Sequence, residues 1–152
     1  LKEVVIMPVI PGVFYNVILF SAITAWLVAQ TLKVLVNLFV VRKLDLQLLL
    51  SSGGFPSSHS ATVSALALGI GKYYGWDSPI FAVSAVYGMV VMYDAAGVRR
   101  AAGKQAEVLN QLVNNLYPGS DPAQKRLKEL IGHTPFEVFG GVIVGIIVGL
   151  LI

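Results

Sequence analysis

The sequence predicts an all-α, polytopic membrane helix bundle with about four transmembrane helices plus short amphipathic cytoplasmic helices. Three observations predict it. Hydrophobic residues make up 56% of the 152 residues and charged residues 12%, at a mean hydropathy of +0.76, which is more apolar surface than one soluble domain of this length can bury. The apolar residues gather in four stretches, and the cations fall almost wholly in two of the connections between them. The length fits a single domain over residues 1–152. Cysteine is absent, which excludes disulfide scaffolds, thiolate nucleophiles and cysteine-ligated metals. No basic and aromatic surface suited to nucleic acid is visible. The chain starts at Leu1 with no basic stretch leading to a small-residue cleavage site, so no signal peptide is expected.

The four stretches run from about Val13 to Val41, Ser60 to Tyr74, Pro79 to Gly97 and Phe136 to Ile152. Most approach the roughly 17–25 residues that a spanning helix needs. Arg42, Lys43, Arg99, Arg100, Lys104, Lys125, Arg126 and Lys128 all lie after the first and third stretches, whereas only Lys2 and Lys72 lie on the other side. By the positive-inside rule both long polar connections face the cytoplasm and both termini face away.

The polar stretch between spans three and four keeps a helical apolar period. Val98, Ala102, Leu109, Leu112, Val113 and Leu116 share one helix face; Ala123, Leu127, Leu130 and Ile131 share another, after the turn Tyr117 to Pro122. Two amphipathic helices are expected, lying against the membrane or over the loop described next. Ala61, Ala65 and Gly69 on span two, and Gly141, Gly145 and Gly149 on span four, recur every four residues and let helices approach closely in lipid. Packing within one bundle is the simpler use of these stripes; the other is a homodimer seam.

The chemistry-bearing residues begin with Ser51-Ser52-Gly53-Gly54-Phe55-Pro56-Ser57-Ser58-His59-Ser60. Adjacent glycines let backbone N–H groups approach an anion, and a serine among Ser57, Ser58 and Ser60 can cap the helix that follows. A helix N-terminus favours phosphate, and His59 in its first turn is a candidate proton donor. The same pattern also describes a plain capped loop with a solvated histidine. Lys33 is charged inside span one, where it either faces the bundle interior or snorkels to the interface. Asp94 has the corresponding depth in span three and can pair with Lys33 or an arginine. His133 and Glu137 are four apart at the start of span four, so the carboxylate can reach back to fix the imidazole's tautomer; a Thr-Pro helix start with an incidental histidine is the simpler alternative. Lys33, the serine loop, Asp94, Arg99, Arg100, His133 and Glu137 all map to one end of the bundle.

These residues resemble the type 2 phosphatidic acid phosphatase (PAP2) superfamily, which includes vanadium haloperoxidases, and most closely its small divergent membrane branch. Pro56-Ser57-Ser58-His59 is similar to the superfamily's Pro-Ser-Gly-His motif, and His133 with Glu137 and Gly141 is similar to a later His-x-x-x-Asp followed by a glycine-bearing helix. Gly54 to Ala61 and Tyr93 to Arg100 look like signatures of the divergent branch. The resemblance implies that His133 is the nucleophile toward phosphorus, that Glu137 orients it, and that His59 protonates the leaving oxygen. It implies that Ser57, the backbone around Ser58 and Lys33 hold phosphoryl oxygens, in the same loop as Gly54, and that no metal or other cofactor is needed. The expected partners are a lipid phosphate substrate and membrane lipids. The sequence departs from the superfamily at four points: Val40 stands where an arginine follows Lys33, Leu127 where an arginine precedes the histidine, Ser58 replaces glycine and Glu137 replaces aspartate. Arg99 or Arg100 then supplies the guanidinium.

The function implied is hydrolysis of a lipid-borne phosphate or diphosphate, of prenyl phosphate or phosphatidic acid type, through a phosphohistidine. The alternatives are a degenerate member that binds anionic headgroups or scaffolds a complex without turnover, and a small transporter using Lys33 and Asp94.

Overall fold

The structure is a computed structural model and describes residues 13, 15–50, 53–116, 127 and 132–152. Within these the chain is entirely helical: α1 (Val17–Val41), a 3-10 turn (Leu46–Leu50), α2 (Ser58–Tyr74), α3 (Pro79–Ala96), α4 (Val98–Leu116) and α5 (Pro135–Leu151). Val17–Val41 and the stretch that opens with α3 are long and apolar enough to cross a membrane, and α5 is a shorter apolar helix.

Local chemistry sets where the helices begin. Asn16 Oδ1 accepts the Leu19 N–H at 3.0 Å, Ser57 Oγ that of Ser60 at 3.3 Å, Ser78 Oγ that of Phe81 at 3.3 Å and Thr134 Oγ1 that of Glu137 at 3.3 Å. Each such cap stabilises its helix by about 1 kcal/mol. Pro79 and Pro135 occupy first-turn positions, where a missing N–H costs nothing. α3 stops at Gly97, whose N–H returns to the Tyr93 carbonyl at 2.8 Å, and α4 leaves one residue later.

α2 is the central helix. It packs against α1, α3 and α5, while α1 and α3 do not touch each other. The core is made of small side chains, Ala25, Ala29, Ala61 and Ala65, closed by Val148. A Cβ on Gly141 would run into the Ser57 carbonyl, one on Gly145 into the Ala61 carbonyl, and one on Gly149 would come within 2.7 Å of Leu68. The glycine stripe of α5 therefore seats on the small-residue stripe of α2 within one chain, and backbone-to-backbone approach replaces the interdigitated leucines of a soluble core. Large apolar side chains point outward instead, among them Phe20, Leu27, Val83, Val90 and Ile147, as lipid-facing surfaces require.

The connectivity brings the C-terminal ends of α1 and α3 to the same end of the bundle as the N-terminal ends of α2 and α5. Two backbone hydrogen bonds tie that end together: Ser57 N–H to Glu137 O at 3.0 Å, and His133 N–H to Ala95 O at 2.8 Å. The expected first amphipathic helix is α4. Of the second, only Leu127 lies within the described residues; Ala123, Leu130 and Ile131 lie outside them.

Candidate functional site

Both histidines sit at this end, His59 in the first turn of α2 and His133 just before the cap of α5. Their rings meet edge to face with centroids 5.8 Å apart. His133 is 1% exposed. Its backbone is pinned to Ala95, and the preceding Gly132 has φ +98 and lies so close to the Arg99–Arg100 backbone that any Cβ would collide there. Only glycine joins that backbone conformation to that approach.

The two imidazole nitrogens of His133 are in different situations. Nδ1 lies 3.2 Å from Glu137 Oε2, an oxygen that also accepts the Thr134 N–H at 2.9 Å. A carboxylate can only accept, so Nδ1 carries the proton and the lone pair is left on Nε2. Nε2 is buried without a close hydrogen bond, although the Gly54 backbone lies near enough to the ring to favour its protonated form. Burial pushes the imidazole below its usual range, and the hydrogen bond and charge of Glu137 pull it back part of the way. The neutral form is thus the resting one near pH 7. Glu137 is at once the third residue of the Thr134 capping box and the hydrogen-bond partner of His133, so a Thr-Pro helix start and a carboxylate that reaches back to the imidazole coexist here.

Lys33 is 2% exposed and does not snorkel: its Nζ donates to Gln30 Oε1 at 2.7 Å, while its stem lies 3.3 Å from where a Cβ on Gly54 would be. It is within electrostatic reach of both histidines and of Glu137. Gln30, also buried, spends its amide on the Leu49 carbonyl at 2.6 Å and so links Lys33 to the 3-10 turn. Phe55 stacks on Phe136 with centroids 5.1 Å apart, and Gly140 makes room for its ring. The serine loop is thereby clamped to α5.

A cleft of about 200 Å³ opens beside His133, lined by Gly53, Gly54, Gly132, Thr134 and Glu137 on one side and by Arg100, Gly103, Lys104 and Glu107 of α4 on the other. That is room for a phosphoryl group, and two cations and two carboxylates line it together with the imidazole. A larger groove of about 550 Å³ lies at the opposite end between Asn16, Leu66, Ile70 and Ile80, and its lining is largely apolar.

The expected phosphate-binding residues therefore divide. Gly54 and Arg100 line the cleft and Lys33 lies beneath Gly54. Ser57 and Ser58 are buried, at 0% and 3%, and neither lines the cleft; the Ser57 hydroxyl is committed to capping α2 and to accepting from Ser60 Oγ at 3.0 Å. Arg99 turns away to Asp94, Nε to Oδ2 at 2.6 Å. That pair, rather than one between Asp94 and Lys33, is what forms, and both members remain within electrostatic reach of His59. His59 itself is partly buried, with Nδ1 enclosed and without a hydrogen bond.

Four contributors were not picked out from sequence as site residues. Lys104 and Glu107 follow Arg100 by one and two helical turns, and Gln30 precedes Lys33 by one; that spacing was the available signal. Gly132, directly before His133, offered none beyond being glycine.

The family described as Divergent PAP2 family matches residues 14–148. The uncharacterized membrane protein YuiD of Bacillus subtilis (strain 168) is 45% identical over 148 residues, which cover 90% of this chain and 94% of that protein. No solved structure matches the chain. The chain is a membrane protein, and it belongs to the Divergent PAP2 family.

Proposed function

We propose that the protein is a membrane phosphatase that hydrolyses a lipid-borne phosphate or diphosphate, of prenyl phosphate or phosphatidic acid type, at the cytoplasmic face through a phosphohistidine on His133. One observation carries this reading: a buried imidazole whose Nδ1 is held by Glu137 and whose Nε2 has no close hydrogen bond, edge to face with a second imidazole and beside a cleft with two cations. Such an arrangement is an oriented nucleophile with a neighbouring acid.

In the first step Nε2 forms a bond to phosphorus as the bond to the leaving oxygen breaks, and His59 gives that oxygen a proton. In the second, His59 takes a proton from water, the oxygen of which displaces Nε2 and releases inorganic phosphate. Glu137 offsets the positive charge that His133 acquires. Lys33, Arg100, Lys104 and the backbone at Gly54 stabilise the phosphoryl oxygens, a positioning and electrostatic task. Val40 and Leu127, where the superfamily has arginines, are exposed at 76% and 48%, so cationic support comes from α4 instead. The cytoplasmic assignment rests on charge: Arg42, Lys43, Arg99, Arg100 and Lys104 share the site's end, whereas Lys72 lies at the other, donating to the Gly149 carbonyl at 3.0 Å.

The test is phosphate release by the purified protein in nanodiscs from a panel of prenyl phosphates, prenyl diphosphates and phosphatidic acid, beside His133→Ala. The expected result is release by the parent and none by the variant. Binding of these lipids without release would support the non-hydrolysing alternative.

A further inference from the structure

α4 presents three faces. Arg100, Lys104 and Glu107 line the cleft, Gly103, Ala106 and Asn110 are buried against the rest of the protein, and Val98, Leu109, Leu112, Val113 and Leu116 form a third face that is 47–71% exposed. Leu109, Leu112, Val113 and Leu116 recur by one, three, four and seven residues, and Val98 lies on the same helix face eleven residues before Leu109. No acidic or basic side chain falls within it.

What covers the stripe follows from where the helix starts. α3 spans the membrane, Gly97 ends it, and α4 begins at the very next residue, so α4 emerges at the level where the hydrocarbon gives way to headgroups. Lipid-facing side chains run up to that junction: Val90 and Tyr93 on α3 are exposed at 61% and 78%, and Val98 continues them at 63%. A helix with an apolar stripe on one side and cations on another is held in such an interface by both.

We propose that α4 lies in the cytoplasmic surface of the bilayer, with the stripe Val98, Leu109, Leu112, Val113 and Leu116 against lipid, and that this docking forms the outer wall of the cleft. Because the same helix carries Arg100 and Lys104 on its cleft face, docking fixes these cations at headgroup height beside His133. That consequence for substrate capture rests on the phosphatase reading; the docking itself does not.

The native chain has no cysteine, so single spin labels can be placed at will. Cysteines at Leu109, Leu112 and Leu116 report the stripe, and cysteines at Gln111 and Asn114, both exposed, report the opposite side. In nanodiscs of phosphatidylcholine and phosphatidylglycerol, collision with oxygen, which concentrates in lipid, is compared with collision with a water-soluble nickel chelate. The expected result is oxygen exceeding nickel at all three stripe positions and the reverse at Gln111 and Asn114. Nickel access along the stripe would place it in water and overturn the proposal. Shielding from both reagents would also overturn it, because it would mean burial under protein, either a second chain or residues 117–131 of this one. Failure of every hydrolysis assay leaves the accessibility pattern unchanged, so the two readings fail separately.

Discussion

Glu137 holds His133 Nδ1 at 3.2 Å through the same oxygen that accepts the Thr134 N–H, so one carboxylate both starts α5 and fixes the tautomer of the buried imidazole. A helix cap thus also orients the imidazole. The orientation of His133 is therefore set by the beginning of the helix, and the residue lines a cleft shared with the Gly53–Gly54 loop and α4.

Separating these two duties gives the first prediction. Thr134→Ala removes the capping hydroxyl and lowers stability by about 1 kcal/mol, but leaves Glu137 facing His133. Its kcat should stay within a few-fold of the parent at a reduced Tm. Glu137→Gln should lower kcat far more than Tm. Comparable loss of kcat in both variants would show that the contact to His133 matters only through the cap.

The acid limb of the pH profile follows from the same contact. His133 must be neutral to attack, and its burial holds it below the ordinary imidazole value of about 6.5. Activity should therefore persist below that pH and fall only as His133 protonates. Glu137 raises the His133 pKa, so Glu137→Gln should move the limb to still lower pH. A limb shifted upward in that variant would contradict the assignment.

The two histidines respond differently to the leaving group. A general acid typically contributes about 10²–10⁴ in rate when the departing oxygen is a poor leaving group. His59→Ala should lose roughly that factor on a lipid alcohol phosphate and much less on an aryl phosphate, where a phenolate leaves unaided. Equal losses on both substrates would remove His59 from the role of acid.

The four helices that follow the apolar stretches were legible because membrane thickness and apolar composition speak directly from sequence, and two of them begin stretches long and apolar enough to cross a membrane. Their ends moved by only a few residues, and capping chemistry explains the shifts: Asn16 sets the start of α1 at Val17 rather than Val13, Ser57 starts α2 at Ser58, and Thr134 with Pro135 starts α5 one residue early. The stripes were legible too, but not their mutual fit, since sequence gives no sign of which helix meets Gly141. His59, His133 and Glu137 stand out in the sequence because each is a reactive type in a distinctive local pattern, and the fold places them side by side. Gln30, Lys104 and Glu107 were passed over because their roles arise only when α1 and α4 are folded against the loop. The reach of Ser57 into a helix cap was equally legible as phosphate binding, and only burial distinguishes the two.

Close helix approach predicts a contrast between glycines. Gly141→Ala sets a Cβ against the Ser57 carbonyl and Gly145→Ala one against the Ala61 carbonyl, backbone atoms that cannot yield without parting α2 from α5. Each should destabilise by about 1–3 kcal/mol. At Gly88 a Cβ would stand 3.7 Å from Val63, an ordinary contact, so Gly88→Ala should be neutral or stabilising. Thermal unfolding in detergent orders the three variants; equal effects would mean that α5 does not seat on α2 in this way.

Topology is open to the same cysteine approach. Lys104→Cys should resist an impermeant thiol reagent applied to intact cells and react after permeabilisation, whereas Tyr73→Cys, exposed at the other end, should react in intact cells. The opposite pattern would place the site on the outer face.

The most direct test of the central claim is to trap the intermediate. Rapid acid-free quenching of the parent during turnover of a ³²P-labelled lipid phosphate, followed by peptide mapping, should yield an acid-labile, base-stable phosphoryl group on the peptide that contains His133. His133→Ala should yield none, and His59→Ala should yield less with a lipid alcohol leaving group. Turnover without a labelled peptide, or label on a peptide lacking His133, would contradict the phosphohistidine mechanism.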